Sequence, residues 1–412
     1  MRNQYSYGAR HVLSLDGDNA IRQLAGAWPE VVPVADPAAA TRRALAVPLD
    51  FPPLAEALVT GDHVAIAVEP GVPQATAVVQ GLVEELLAQG VLSEHITVVY
   101  GAWAGGAAET PPPSPAPGVA AIVHRGDDAQ SLAYLAATDD ADPIYLPRVL
   151  CDADLVIPVG VRRANESFGY LGIAGSIYPA FSDGSARRRM RPADRADWRK
   201  QAARMRKEAS HALWLLGIQF VVQVIPGPQE SVVDVIAGQV DAVAQRSGQR
   251  FAEVWRGAIP EPADLVVACL DGGEEQQTWD NVIRALALAS EVVADGGLVV
   301  VCTELRDLPR PDEAEAEVPA ELAEQRGAGK GRRAARRRSG GSLATRVIAE
   351  LARSHRVGLL SGLAAETVEE LGCIPVAQDA DILRLGKVCR TGVVIPAAQY
   401  AMLAVQSRSD GS

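Results

Sequence analysis

No apolar run in this chain is long enough to cross a membrane. The longest, such as 265–270 and 298–302, fall far short of the roughly 20 residues a membrane helix requires. Met1-Arg2-Asn3-Gln4 leads into no apolar signal core, so the expected location is the cytoplasm. Cysteine is sparse: Cys151, Cys269, Cys302, Cys373 and Cys389 form an odd set without a CxxC pair. That pattern argues against a disulfide framework and favours buried reduced thiols over metal ligands. The six histidines are dispersed with none at ligand spacing from another, so no metal site is expected. Histidine is absent between His124 and His211, and lysine between Met1 and Arg199. Basic charge is not in excess either; the net charge of -12 opposes binding to phosphate backbones, and nucleic acid is not expected as the main partner.

What is present is a globular chain of 412 residues with 48% apolar content, enough for two ordinary domains. Short apolar, β-branched runs alternate with helical patterns, the mark of βαβ units around mostly parallel sheets. The spacing predicts a strand over 63–68, a helix over 75–89 stopped by Gly90, and strands over 95–101, 121–123 and 153–160. Proline-rich 110–117 reads as a surface loop. A long helix over 198–216 and a strand over 220–225 follow. Pro260-Glu261-Pro262 suggests a hinge. Beyond it come a strand over 264–270, a Gly272-Gly273 turn, an N-cap at Thr278, and a helix with Val282, Leu286, Ala289 and Val293 on one face, ending at Gly296-Gly297. A strand over 298–303 and a helix over 342–353 come next. The expected architecture is α/β with two domains, each a mostly parallel sheet flanked by helices, and a cleft between them. The expected boundaries are 1–259, 260–390 with a charged insertion at 310–341, and a segment 391–412 that packs back on the first domain.

Several stretches could carry chemistry. Val159 to Pro179 leaves a strand end with Arg162, Arg163 and Asn165, then enters a turn spaced by Gly169, Gly172 and Gly175, with Ser176 beyond. Ligands of open α/β sheets collect at carboxyl strand ends, and glycines let backbone N–H groups approach an anion. The same glycines also suit an ordinary turn, and the two readings stand level. Asp127-Asp128 and Asp139-Asp140 lie in polar, loop-like surroundings and read as solvated turn residues rather than a catalytic pair. Arg187-Arg188-Arg189-Met190-Arg191 reads as an exposed turn, with phosphate binding as the alternative. The insertion joins an acidic half, 312–324, to a basic half, 330–338, and reads as a solvated loop, with a partner site as the alternative.

Ala153-Asp154-Leu155-Val156-Ile157, then Gly169-Tyr170-Leu171-Gly172, then Ser176-Ile177-Tyr178-Pro179 follow the order of a known set of motifs. The chain resembles the nickel-pincer-nucleotide lactate racemase family, in which a strand ADLxI leads into PHxxxGYSGGxKxxxPG. Ala46-Val47-Pro48-Leu49, Ser210-His211-Ala212-Leu213 and the 272–297 unit agree as well. The resemblance spans most of the chain and is one of framework. The family's cofactor-anchoring lysine falls on Gly175, which offers no amine, and its acid/base histidine on Asn165, whose amide exchanges no proton near neutral pH. Its DxTRP is met by Glu69-Pro70-Gly71-Val72-Pro73, and its GxHR by Gly101-Ala102-Trp103-Ala104, so a third catalytic position falls on Trp103. Its substrate-contacting QxxK falls on Asn281 and Arg284, which keep an amide and a cation one helical turn apart.

The resemblance therefore implies a lactate racemase-like protein whose active site is degenerate or repurposed, with no confident catalytic residue and no cofactor expected. Its ligand-binding candidates are Asn281, Arg284, Arg163, Asn165, Gly169, Gly172 and Ser176, and the expected partner is a small anionic metabolite in the interdomain cleft. Two alternatives stay open. One is a 2-hydroxy acid racemase or epimerase whose nickel-pincer nucleotide is held differently, with Lys200 or Lys207 as attachment points. The other is a non-catalytic interaction module working through 310–341. The ligand and the oligomeric state are not readable from the sequence.

Overall fold

The computed structural model describes residues 4–14, 22–23, 31–101, 111–309 and 342–406. In chain order the strands are β1 (Gln4–Tyr7), β2 (His11–Ser14), β3 (Arg22–Gln23), β4 (Val64–Val68), β5 (Ile96–Tyr100), β6 (Ala120–Val123), β7 (Leu132–Ala137), β8 (Pro143–Pro147) and β9 (Leu155–Val161). They continue with β10 (Phe220–Pro226), β11 (Val232–Gln239), β12 (Arg256–Ile259), β13 (Ala263–Cys269), β14 (Val293–Cys302), β15 (Arg356–Leu360), β16 (Ile374–Val376), β17 (Thr391–Ile395) and β18 (Met402–Val405). Two six-stranded sheets organise the molecule, in the orders β11-β10-β9-β4-β5-β6 and β16-β15-β14-β13-β17-β3. All neighbours are parallel except the β10–β11 edge pair.

Parallel strands covered on both faces must be apolar throughout, which is why Val64–Val68 and Leu265–Cys269 read as continuous apolar runs rather than alternating ones. In the second sheet Val266 and Ala268 face the main core, while Leu265, Val267 and Cys269 face a smaller one with Tyr7 and Leu13 of the β1–β2 hairpin. All five cysteines are free thiols, four of them buried. Among the described residues no helix is long and apolar enough to cross a membrane.

Helix Ala75–Ala88 carries the chain from β4 to β5, and helix Arg195–Leu215 from β9 to β10, its first turn capped by Asp194. Thr278 and Ser342 cap helices Trp279–Ala289 and Leu343–Leu351, as their residue types predict.

Three expectations need correction. Helix Trp279–Ala289 stops seven residues before Gly296, and Val293 begins β14 instead. The register between β13 and β14 shifts just there, so Gly296, with φ +71°, serves an irregularity inside a strand and not a helix stop. At the chain ends, β3 and β17 pair with each other in the second sheet and the β1–β2 hairpin covers that sheet, although the boundaries above give residues 1–259 to the first domain. Only β18, beside β12, carries the C-terminal segment back toward the first domain's last helix.

Candidate functional site

The strand orders place the site. In an open parallel sheet a crevice forms where successive connections depart to opposite sides, outside the carboxyl ends of the two strands concerned. In the first sheet these strands are β4 and β9, and in the second β13 and β17. The segments following all four converge. Gln276, beyond β13, donates through Nε2 to the carbonyl of Gly71 beyond β4, at 3.0 Å. Arg284 donates through Nε to the carbonyl of Phe168 beyond β9, at 3.2 Å. Tyr400, beyond β17, stacks against Trp255 at 5.7 Å and donates from its hydroxyl to Gln276 Oε1 at 3.0 Å. Both switch points thus open onto one cleft.

On the first-sheet side, Glu69 just past β4, Gly160 near the end of β9 and Gln223 in the middle of β10 stand in register. The Val161 N–H donates to Glu69 Oε2 at 2.9 Å. Gly160 is needed here: a Cβ would lie 2.4 Å from Gln223 Nε2 and 3.1 Å from Glu69 Oε2. Its absence lets the amide lie beside the carboxylate.

Arg163 is the largest side chain that is fully buried, at 1% exposure, with its guanidinium 5.1 Å over the Tyr400 ring. Among the described residues neither Nη1 nor Nη2 has a hydrogen-bond partner. Gln223, also 1% exposed, leaves its Oε1 unpartnered. Burying a charged group without partners costs several kcal/mol, so a pair of orphaned guanidinium nitrogens and an orphaned carbonyl in one cleft need explaining.

On the second-sheet side, Asn281 is fully buried. Its Nδ2 donates to the Gln276 carbonyl at 2.8 Å, and its Oδ1 accepts from Arg284 Nη1 at 2.8 Å. Burial and the like charge of Arg163 bring Arg284 down to about 10, opposed by Asp280 and Glu69. Burial raises Glu69 above the usual carboxylate range, opposed chiefly by Arg163. Burial likewise takes Tyr400 up to about 12. Two cations, a carboxylate and two amides therefore meet in a largely desolvated cleft.

The structure brings Arg163, Asn281 and Arg284 of the predicted set together, places Ser176 beside Gly160, and leaves Asn165, Gly169 and Gly172 elsewhere. Asn165 is exposed and accepts from Arg162 Nη2 at 2.9 Å. Gly169 and Gly172 have φ of +74° and +79° in open space, which fits the turn reading. Ser176 spends its hydroxyl on the Ile173 carbonyl, 2.7 Å away. Trp103 and the insertion 310–341 lie outside the described residues.

The arginine cluster at 187–191 is not an exposed turn. It closes helix Gly184–Arg189, where Arg189 bonds Glu208 and Tyr178 and Arg187 donates to the Ser182 carbonyl. Asp128 caps a short turn, while Asp139 and Asp140 are exposed and face Lys207 and Arg204.

Glu69, Gln223, Gln276 and Tyr400 are missing from the sequence-derived set. Gln223 had a signal, as a lone amide inside the apolar run Phe220 to Ile225. Glu69 opens the segment matched to DxTRP. Tyr400 had none.

A recess of about 520 Å³ lies elsewhere, along the outer part of the first sheet beside His63, His95 and His124. Its histidines are engaged with one another or with backbone: His63 and His95 stack at 4.1 Å, and His124 Nε2 lies 3.1 Å from the Ser182 carbonyl. The converging buried charges favour the cleft.

The lactate racemase N-terminal domain family matches residues 11–187. No curated protein matches the chain in sequence. Among solved structures, the lactate racemase apoprotein from Thermoanaerobacterium thermosaccharolyticum superposes with a TM-score of 0.73 at 14% identity, over 97% of this chain and 99% of that one. A protein from Thermotoga maritima superposes with a TM-score of 0.63 at 13% identity, over 91% of this chain and all of that one. Residues 11–187 therefore match a lactate racemase N-terminal domain, and the chain as a whole has the two-domain α/β fold of a lactate racemase.

Proposed function

We propose that this lactate racemase-like protein binds a small anionic metabolite in its interdomain cleft and has lost the nickel-pincer chemistry. The observation that carries the reading is Arg163, a buried guanidinium whose two terminal nitrogens lack partners among the described residues and which faces Arg284 across the cleft. A carboxylate or phosphate accepting from both arginines would satisfy the orphaned donors and relieve the repulsion between two like charges. Asn281 fixes the Arg284 fork through its Oδ1.

The residues present do not fit a covalently held pincer nucleotide. Gly175 offers no amine, and a Cβ there would already press on Leu171 Cβ at 2.9 Å. Asn165 is exposed and turned to Arg162. Lys200 and Lys207 are both exposed on helix Arg195–Leu215, and Lys207 faces Asp139. His211 is exposed and stacks on Trp214. No reaction step through that group is derived for this chain. What the cleft's own residues offer is charge recognition, orientation and a carboxylate, Glu69, held beside the bound anion.

The test is twofold. Protein co-expressed with the family's cofactor-making enzymes is examined by metal analysis and intact-mass spectrometry, with a metal-free chain of unmodified mass expected. Dialysed protein is then titrated with lactate, propionate and inorganic phosphate, at least one of which should raise its melting temperature, an effect lost in Arg163→Met. Stoichiometric nickel with an added nucleotide mass would overturn the loss of pincer chemistry and support the hydroxy acid racemase reading.

A further inference from the structure

The cleft has two chemically distinct ends. Arg163 and Arg284 form a cationic end, and the unpartnered Gln223 Oε1 with the Glu69 carboxylate forms an accepting end. Glu69 is not consumed as the counter-ion of either arginine, since among the described residues it forms no ion pair within 4 Å. The only hydrogen bond of its carboxyl group there is the one its Oε2 accepts from Val161. Glu69 and Gln223 flank Gly160 from the two neighbouring strands, so their side chains belong to one face of the sheet. A ligand that carries an anionic group at one end and a cationic group at the other would satisfy both ends.

Building on the anion-site reading, we infer that the natural ligand is a zwitterion of the α-amino acid class, its carboxylate on Arg163 and Arg284 and its ammonium on Gln223 Oε1 and Glu69. An ammonium brings three donors and a full positive charge to two acceptors, one of them a carboxyl group. The hydroxyl of a 2-hydroxy acid brings one donor and no charge, and a simple carboxylic acid brings neither. Charge-assisted hydrogen bonds of this kind contribute about 1.5–3 kcal/mol each, which converts to roughly a tenfold to hundredfold preference for the amine.

The experiment is calorimetric titration of the full chain, dialysed free of phosphate, with two matched series: alanine, lactate and propionate, then phenylalanine, phenyllactate and phenylpropionate. The expected result is that the amino acid of at least one series binds ten times more tightly than its hydroxy and unsubstituted partners. Glu69→Gln should collapse that preference. Equal or tighter binding of a hydroxy acid or unsubstituted acid in both series would overturn the zwitterion and leave the anion site standing. Absence of binding by every compound would overturn both. An amino-acid preference that survives Glu69→Gln and Gln223→Leu would also overturn the assignment, because the ammonium would then lie elsewhere.

Discussion

Replacing Arg163 by methionine tests whether its guanidinium is held for a ligand or for the fold. A buried cation that serves stability is paired, and removing it leaves a partner stranded at a cost of about 3–5 kcal/mol. Among the described residues Arg163 has no hydrogen-bonded partner to strand, and Glu69, which loses its nearby cation, can take up a proton instead. Its two orphaned terminal nitrogens each carry a desolvation penalty of about 1–3 kcal/mol. The contact with Tyr400 at 5.1 Å returns about 1–2 kcal/mol of this. Methionine fills much of the same apolar volume, and the variant also removes a like charge from beside Arg284. Ligand-free Arg163→Met should therefore be more stable than the parent by about 1–3 kcal/mol. At about 2–4 °C per kcal/mol for a domain-sized cooperative unit, its melting temperature should rise by several degrees. The assay is thermal and urea unfolding of exhaustively dialysed protein in a buffer without phosphate or carboxylate, since either anion would occupy the site and mask the effect. A variant less stable than the parent by more than about 1 kcal/mol would refute the reasoning and make Arg163 a structural cation.

Glu69, raised by burial, stabilises the fold relative to an ordinary glutamate below the unfolded pKa of about 4.3, and that contribution is lost as pH rises through its folded pKa. Glu69→Gln lacks this dependence, so urea midpoints should shift in favour of the variant as pH is raised from about 4 to neutrality; parallel curves would contradict it. His124, 3% exposed and lowered by burial to about 4, must stay neutral in the fold. The parent should lose about 3 kcal/mol between pH 6.5 and 4 from this group alone, and His124→Gln should flatten that part of a stability-against-pH curve. Gln276, 1% exposed, links Gly71, Asn281 and Tyr400, so Gln276→Ala should cost about 2–4 kcal/mol in chemical denaturation and weaken anion binding together. Gly160→Ala should remove the preference for an amino acid over its hydroxy acid partner, read by calorimetry with circular dichroism as the check on folding, because the new Cβ meets Gln223, Glu69 and Ser176.

The framework was legible because parallel strands buried on both faces leave near-continuous β-branched runs, and because Thr278, Ser342 and the glycines after helices mark their ends chemically. Gly296 misled for a physical reason. A glycine with positive φ serves a helix stop and a strand irregularity equally well, and only the pairing of Val293 with Ala263 decides between them. The pairing of β3 with β17 was hidden too, since a two-residue strand has no period to detect.

The sequence alone determined the α/β class, the alternation of strand and helix, and the absence of an amine at Gly175 and of an imidazole at Asn165, because these are properties of residue type and local order. Only the tertiary structure decided which polar groups share a site. Arg163, Gln223, Glu69, Arg284 and Tyr400 come from five separate segments, joined at the switch points of two sheets. Whether a guanidinium is solvated or buried without a partner depends on what the rest of the chain packs around it, and no local pattern of residues carries that information.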